Sequence, residues 1–191
     1  MEGAFRVHNV PMCRQRIDPR EWRAHGGTDL GPVAEWSDRA CGMAALRMIL
    51  TACHQPSPLL TELVTTGVAR GAYSERGWLH ADLADLATSL GVPAQAEAIQ
   101  AYGLPGLLDE APLIASVTCE FPADGRRGGH LVVLRGYELG HDDPLILFRD
   151  PSGWGQDHDR VRLSRLAESY SGRCITFKPD VSPAVEEHQS G

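Results

Sequence analysis

No stretch of this chain runs to ~18 uninterrupted apolar residues, so no transmembrane helix and no membrane partner are expected. The chain is also short of positive charge: 18 Lys and Arg stand against 25 Asp and Glu, a net −7 at pH 7. Binding nucleic acid requires a basic face that neutralises phosphates, so DNA or RNA is not expected as a partner. The opening residues, Met1-Glu2-Gly3-Ala4-Phe5-Arg6, contain no basic stretch followed by an apolar run, and no secretory signal is expected in them. The cysteines, Cys13, Cys41, Cys53, Cys119 and Cys174, are odd in number and none is spaced as C-x-x-C. That argues against a disulfide framework and against a finger-type zinc site. Free thiols in a reducing cytoplasm are expected, with no metal and no cofactor. The acidic turns His141-Asp142-Asp143 and Asp157-His158-Asp159 lack a second histidine at helical spacing and are not read as metal sites. There is no internal repeat.

What remains is a chain of 191 residues, the size of one domain. A chain this long buries about two-thirds or more of its unfolded surface and needs no staple to fold. One domain over residues 1–178 is expected, with a polar, proline-containing tail over 179–191 that is expected to fray. Phe5 to Val10 alternates as a short strand. Arg16 to Asp38, with Pro19, Gly26, Gly27, Gly31 and Pro32, reads as a long irregular loop. Cys41 to Cys53 is rich in Ala, Leu and Met and apolar on nearly every face, which predicts a buried helix, with Ser37 or Asp38 as its cap. Pro58 to Ala69 and Leu79 to Leu90 carry helical stripes, the second closed by Gly91. Strands are expected over Val92 to Ile99, Pro112 to Thr118, His130 to Glu138, Leu145 to Arg149 and Arg173 to Phe177, with a helix over Val161 to Tyr170. Helices first and adjacent strands second describe an α+β domain, a helical lobe packed on an antiparallel sheet.

Cys41 differs from the other four thiols by its place in the first turn of the buried helix. A helix N-terminus carries about half a positive charge and free N–H groups, which favour a thiolate and can donate to an oxyanion. Gly42 has no Cβ and leaves room for a substrate backbone. A small residue beside a tight packing contact would look the same. A thiol nucleophile needs a base, and His130 begins a strand directly after Gly128 and Gly129, which is a place to present an imidazole into a cleft. Asp150 ends the next strand before Pro151 and, if the strands form a hairpin, can accept from the second ring nitrogen. Taken singly, His130 reads equally as a surface histidine and Asp150 as an Asp-Pro turn. Trp22, Trp36 and Trp154 fall in loops, Asp38-Arg39 reads as a local ion pair, and Arg126 and Arg127 lie on a solvated turn within reach of an acidic substrate.

Four blocks resemble the papain-like double-glycine leader peptidases, the bacteriocin-processing cysteine peptidase family, and especially its stand-alone relatives. They are Arg39-Ala40-Cys41-Gly42-Met43-Ala44-Ala45-Leu46-Arg47-Met48-Ile49-Leu50, Gly77-Trp78-Leu79-His80, Gly129-His130-Leu131-Val132-Val133-Leu134-Arg135-Gly136-Tyr137 and Arg149-Asp150-Pro151-Ser152, spanning residues 39–152. The resemblance implies a papain-like fold with catalytic Cys41, His130 and Asp150, and a glutamine that completes the oxyanion hole. In the leader peptidases that glutamine stands six residues before the cysteine, where this chain has Glu35. The stand-alone relatives carry Val-Pro-x-x-x-Gln instead, matched here by Val10-Pro11-Met12-Cys13-Arg14-Gln15, so Gln15 is preferred and residues 16–38 become an insertion. Gly42, Trp78, His80 and Gly129 are expected to line the substrate groove, with a packing or capping role open for His80. Many leader peptidases are fused to a membrane exporter and its ATPase, and neither is expected here. The implied activity is cleavage of a peptide bond, such as that joining a leader to its precursor, through a thioester on Cys41. The alternatives are acyl transfer or cyclisation on a peptide-like acyl substrate with the same residues, and a non-catalytic domain that holds a peptide.

Overall fold

A computed structural model describes residues 5–140 and 142–178 of the chain. Residues 1–4, His141 and the tail over 179–191 lie outside the described residues, and with them the frayed tail expected from composition. In chain order the elements are strand β1 (Phe5–Val7), helices α1 (Pro19–Ala24), α2 (Val33–Arg39), α3 (Cys41–Ala52) and α4 (Leu60–Ala69), the short hairpin β2 (Tyr73–Ser74) and β3 (Gly77–Trp78), and helix α5 (His80–Ser89). Then come β4 (Ala94–Ala98), α6 (Leu104–Leu108), β5 (Leu113–Val117), β6 (His130–Glu138), β7 (Leu145–Arg149), β8 (Arg160–Arg162), α7 (Leu163–Ser169) and β9 (Tyr170–Phe177).

The main sheet is antiparallel in the order β4-β9-β5-β6-β7-β8, with β1 also paired to β6. Both faces are covered, which is why β5 and β6 read as continuous apolar runs rather than as alternations. Ile114, Leu131, Val133 and Ile175 pack with α3, α4 and α5 on one face. Leu113, Ala115, Val132, Leu134 and Phe148 pack with Leu104, Leu108 and Leu166 of α6 and α7 on the other.

Helix α3 has no side-chain cap. A missing cap forgoes about 1 kcal/mol. Burying each of Met43, Leu46, Met48, Ile49 and Leu50 contributes about 1.5–3 kcal/mol, so packing rather than capping fixes this helix. Ser37 and Asp38, expected as its caps, instead belong to the last turn of α2, and Ala40 alone separates the two helices.

The segment expected as an irregular loop over 16–38 is in fact ordered as α1, a 3-10 turn over Gly27–Leu30, and α2. Its prolines start helices rather than break them: Pro19 is the first residue of α1, whose first N–H groups are taken by the Asp18 carboxylate, and Pro32 immediately precedes α2. Trp22 and Trp36 lie on these helices, not in loops, and both are buried. Their rings stand 6.2 Å apart and continue through Tyr73 to Trp78 at 5.1 and 4.8 Å. A single large aromatic per helix anchors each one, too sparse a pattern to give a period. Similarly, Arg160–Arg162 forms strand β8, so the helix expected from Val161 is confined to Leu163–Ser169, and Tyr170 already opens β9.

Candidate functional site

Three elements converge on one cleft. Strand β6 starts at His130, immediately after Gly128 and Gly129, both at positive φ (78° and 91°), a backbone turn that side chains resist. Its neighbour β7 ends at Arg149, and the register pairing Val133 with Arg149 carries Asp150 to a position diagonal to His130. His130 Nε2 and Asp150 Oδ1 are 2.7 Å apart, and the Asp150 residue is only 1% exposed. Asp150 Oδ1 also accepts from the Ser152 backbone N–H at 2.7 Å, an Asp-turn that fixes the carboxylate. With Nε2 taken by Asp150, Nδ1 is the ring nitrogen left for Cys41, which lines the same cleft as His130.

Burial by itself disfavours the charged imidazole. The hydrogen bond to Asp150, then the bond to and charge of Cys41, outweigh it and push the His130 pKa up to about 10. Burial likewise raises Asp150, but the hydrogen bond and charge of His130 and the bond from the Ser152 backbone N–H hold it below the usual carboxylate range. The two groups therefore favour an imidazolium–carboxylate pair.

The break between α2 and α3, which leaves Cys41 at a helix start, is held by two side chains. Carbonyls in the last turn of a helix have no intrahelical donor. Gln15 Nε2 donates to the carbonyls of Ser37 and Asp38 at 2.9 and 3.2 Å, and Trp78 Nε1 to that of Arg39 at 2.6 Å. The Gln15 N–H in turn donates to the Pro151 carbonyl at 3.0 Å, beside Asp150. Gln15 thus bridges the two halves of the site, and the insertion over 16–38 returns to it. Glu35 sits on the exposed side of α2, paired with Arg39 at 3.4 Å. Arg39 therefore pairs with Glu35 rather than with Asp38, and it lies over the Trp36 ring.

The space expected beside Gly42 for a substrate backbone is filled. A Cβ there would stand 2.8 Å from Trp78 Cδ1 and 3.0 Å from Leu131 Cδ1, so this glycine serves the packing of α3 against β3 and β6. A cleft of about 180 Å³ is lined by Cys41, His130, Gly129, Trp78, His80 and Ser116, among others. Gly129 is exposed at its rim. His80, half-buried, has its Nε2 buried without a partner among the described residues, and burial with the nearby Arg173 lowers its pKa. A wider groove of about 600 Å³ continues past Trp78 and His80 along β4. Arg126 and Arg127 are engaged within the chain, with Asp124 and with the carbonyls of Ala167 and Tyr170. Trp154 stacks on His158 at 3.9 Å, at the edge of the second core.

One residue near this site escaped the reading of the sequence. Cys119, exposed just beyond the end of β5, has its Sγ within 4.8 Å of a ring nitrogen of His130 and a carboxylate oxygen of Asp150. Only the β5-β6-β7 strand order brings it there. Its position next to a predicted strand end beside the strand of His130 was the available signal.

No protein-family model matches the chain, and no curated protein matches it significantly. Solved structures do. The double glycine motif protease from an AMS/PCAT transporter, in complex with the leader peptide, superposes with a TM-score of 0.58 at 20% identity, covering 94% of this chain and 99% of that one. The peptidase domain of Streptococcus ComA, a bi-functional ABC transporter involved in a quorum sensing pathway, gives 0.53 at 18% identity, covering 74% and 93%. The fold is that of papain-like peptidase domains. No helix among the described residues is long and apolar enough to cross a membrane.

Proposed function

We propose that the chain is a cysteine peptidase in which Cys41 is the nucleophile, His130 the base and Asp150 the group that orients the imidazole. The observation that carries this reading is the buried His130–Asp150 pair at 2.7 Å, in the same cleft as Cys41 at the start of a buried helix. A peptide carbonyl entering the cleft is attacked by the Cys41 sulfur. The Cys41 N–H and the Gln15 amide stabilise the oxyanion, with Gln15 giving up its weaker contact to Asp38. His130 protonates the leaving amine, and water then resolves the thioester.

A cleft of about 180 Å³ is small beside the roughly 300–1,000 Å³ of ordinary ligand pockets, which favours small residues such as glycine next to the scissile bond. The wider groove along β4 would take the rest of the peptide, and a leader segment is the substrate class this suits. The structural likeness to a protease complexed with a leader peptide supports the same substrate class. The exposed Glu35, paired with Arg39, removes the carboxylate that would have argued for a non-catalytic peptide-binding domain. The test is to incubate the protein with precursor peptides whose leader segment ends in Gly-Gly or Gly-Ala ahead of the core and to analyse the products by mass spectrometry. Cleavage after the small pair, abolished by Cys41→Ala, is the expected result. Full cleavage by Cys41→Ala would overturn the assignment.

A further inference from the structure

A second thiol stands beside the same imidazole. Cys119 Sγ, a ring nitrogen of His130 and a carboxylate oxygen of Asp150 all lie within 4.8 Å of one another. In the Asp150 carboxylate, Oδ1 holds two hydrogen bonds, whereas Oδ2 is buried with no partner among the described residues. A buried carboxylate oxygen without a donor is a costly arrangement that a cation relieves. Thiolate, imidazole and carboxylate together are a donor set suited to zinc. Around a tetrahedral ion at 2.0–2.3 Å bond lengths such donors stand roughly 3–4 Å apart. Reaching that spacing displaces Asp150 Oδ1 from Nε2, where it now stands at 2.7 Å, and the exposed position of Cys119 gives the ion a way in.

Resting on the catalytic reading above, we propose that Cys119, His130 and Asp150 form an inhibitory site for a thiophilic divalent cation, zinc in the first instance, that switches the peptidase off reversibly. The ion takes Cys119 Sγ, His130 Nε2 and Asp150 Oδ2, with solvent in the fourth position. Binding releases the proton of the Cys119 thiol and the hydrogen that Nε2 shares with Asp150. The ring is then neutral, with its one hydrogen on Nδ1 facing Cys41. It is no longer the imidazolium that pairs with a Cys41 thiolate and protonates the leaving amine. Removal of the ion returns the hydrogen to Nε2 and restores the His130–Asp150 pair. No atom of Cys41 is needed for the ion to bind.

The test is isothermal titration of chelator-treated full-length protein with zinc sulfate, repeated with cobalt(II) to read the thiolate-to-metal absorption band. Wild type and Cys41→Ser are expected to bind one ion per chain with similar affinity. Cys119→Ser is expected to bind at least ~10-fold more weakly and to lose the thiolate band, since even an outer partner of a ligand is worth about 10- to 100-fold. Zinc should slow alkylation of Cys41 in the wild type and not in Cys119→Ser. Unchanged binding by Cys119→Ser, or loss of binding by Cys41→Ser, would overturn the proposal, because the ion would then lie on the Cys41–His130 side. The two readings fail separately: if Cys41 is no nucleophile, zinc still binds through Cys119, and if Cys119 binds nothing, the peptidase test is unaffected.

Discussion

At the scale of single residues, the site turns on how one imidazole is charged. Asp150 and Cys41 hold His130 protonated against its burial, and the consequence for pH can be signed. The pKa of about 10 in the folded chain lies above the ~6.5 of an unfolded histidine. His130 therefore contributes stability that is full below pH ~6.5 and is lost as the pH rises toward 10. Asp150 has the opposite sign: its lowered pKa contributes stability that is present above pH ~4 and is lost as the pH falls below it. Asp150→Asn removes the anion, and the His130 pKa should drop toward or below 6.5. Histidine nitrogen NMR on chelator-treated protein reads this directly. A His130 that titrates near 6.5 in the wild type as well would refute the charged pair. Gln15→Ala should lower kcat about 100- to 1,000-fold if the amide holds the oxyanion. A loss confined to KM, or to thermal stability through the freed Ser37 and Asp38 carbonyls, would make Gln15 only a brace for the α2–α3 junction.

At the scale of elements, the junction between α2 and α3 is what makes Cys41 available. It is closed from outside by Trp78, which bonds the Arg39 carbonyl and fills the space beside Gly42. Gly42→Ala should therefore destabilise by about 1–3 kcal/mol through overpacking, seen as a lower Tm. A Tm equal to wild type would mean that β3 yields without cost. Much of this was legible in the sequence. The apolar run from Cys41, the strands over His130–Glu138 and Leu145–Arg149, and the sharp Asp-Pro stop after them were each read from period and turn chemistry, and two strands joined by a short turn bring His130 and Asp150 together. The helices at Pro19 and Val33 were not legible, because each buries one tryptophan and has prolines and glycines around it. The packing of Trp78 on Gly42 was equally hidden, since nothing local to Gly42 distinguishes a glycine that admits a substrate from one that admits a ring.

At the scale of the whole molecule, a two-sided sheet carries the chemistry at one end of its central strand. The helices of one face supply Cys41, and the strands flanking β6 supply Asp150 and Cys119. Sheet order β5-β6-β7 is a global property, which is why Cys119 could not be placed from spacing alone. The five thiols are separated by this architecture. Burial pushes the pKa of Cys13, Cys53, Cys119 and Cys174 up, each with desolvation as the largest cause, and Cys41 stands at the start of α3 in the cleft it shares with His130. The most direct test of the account is to treat chelated protein with limiting iodoacetamide at pH 6 and to map the modified cysteines by mass spectrometry. The account predicts that Cys41 is modified well ahead of the other four, and that His130→Ala abolishes its lead. Equal modification of all five, or a lead for Cys119 that survives His130→Ala, would contradict it.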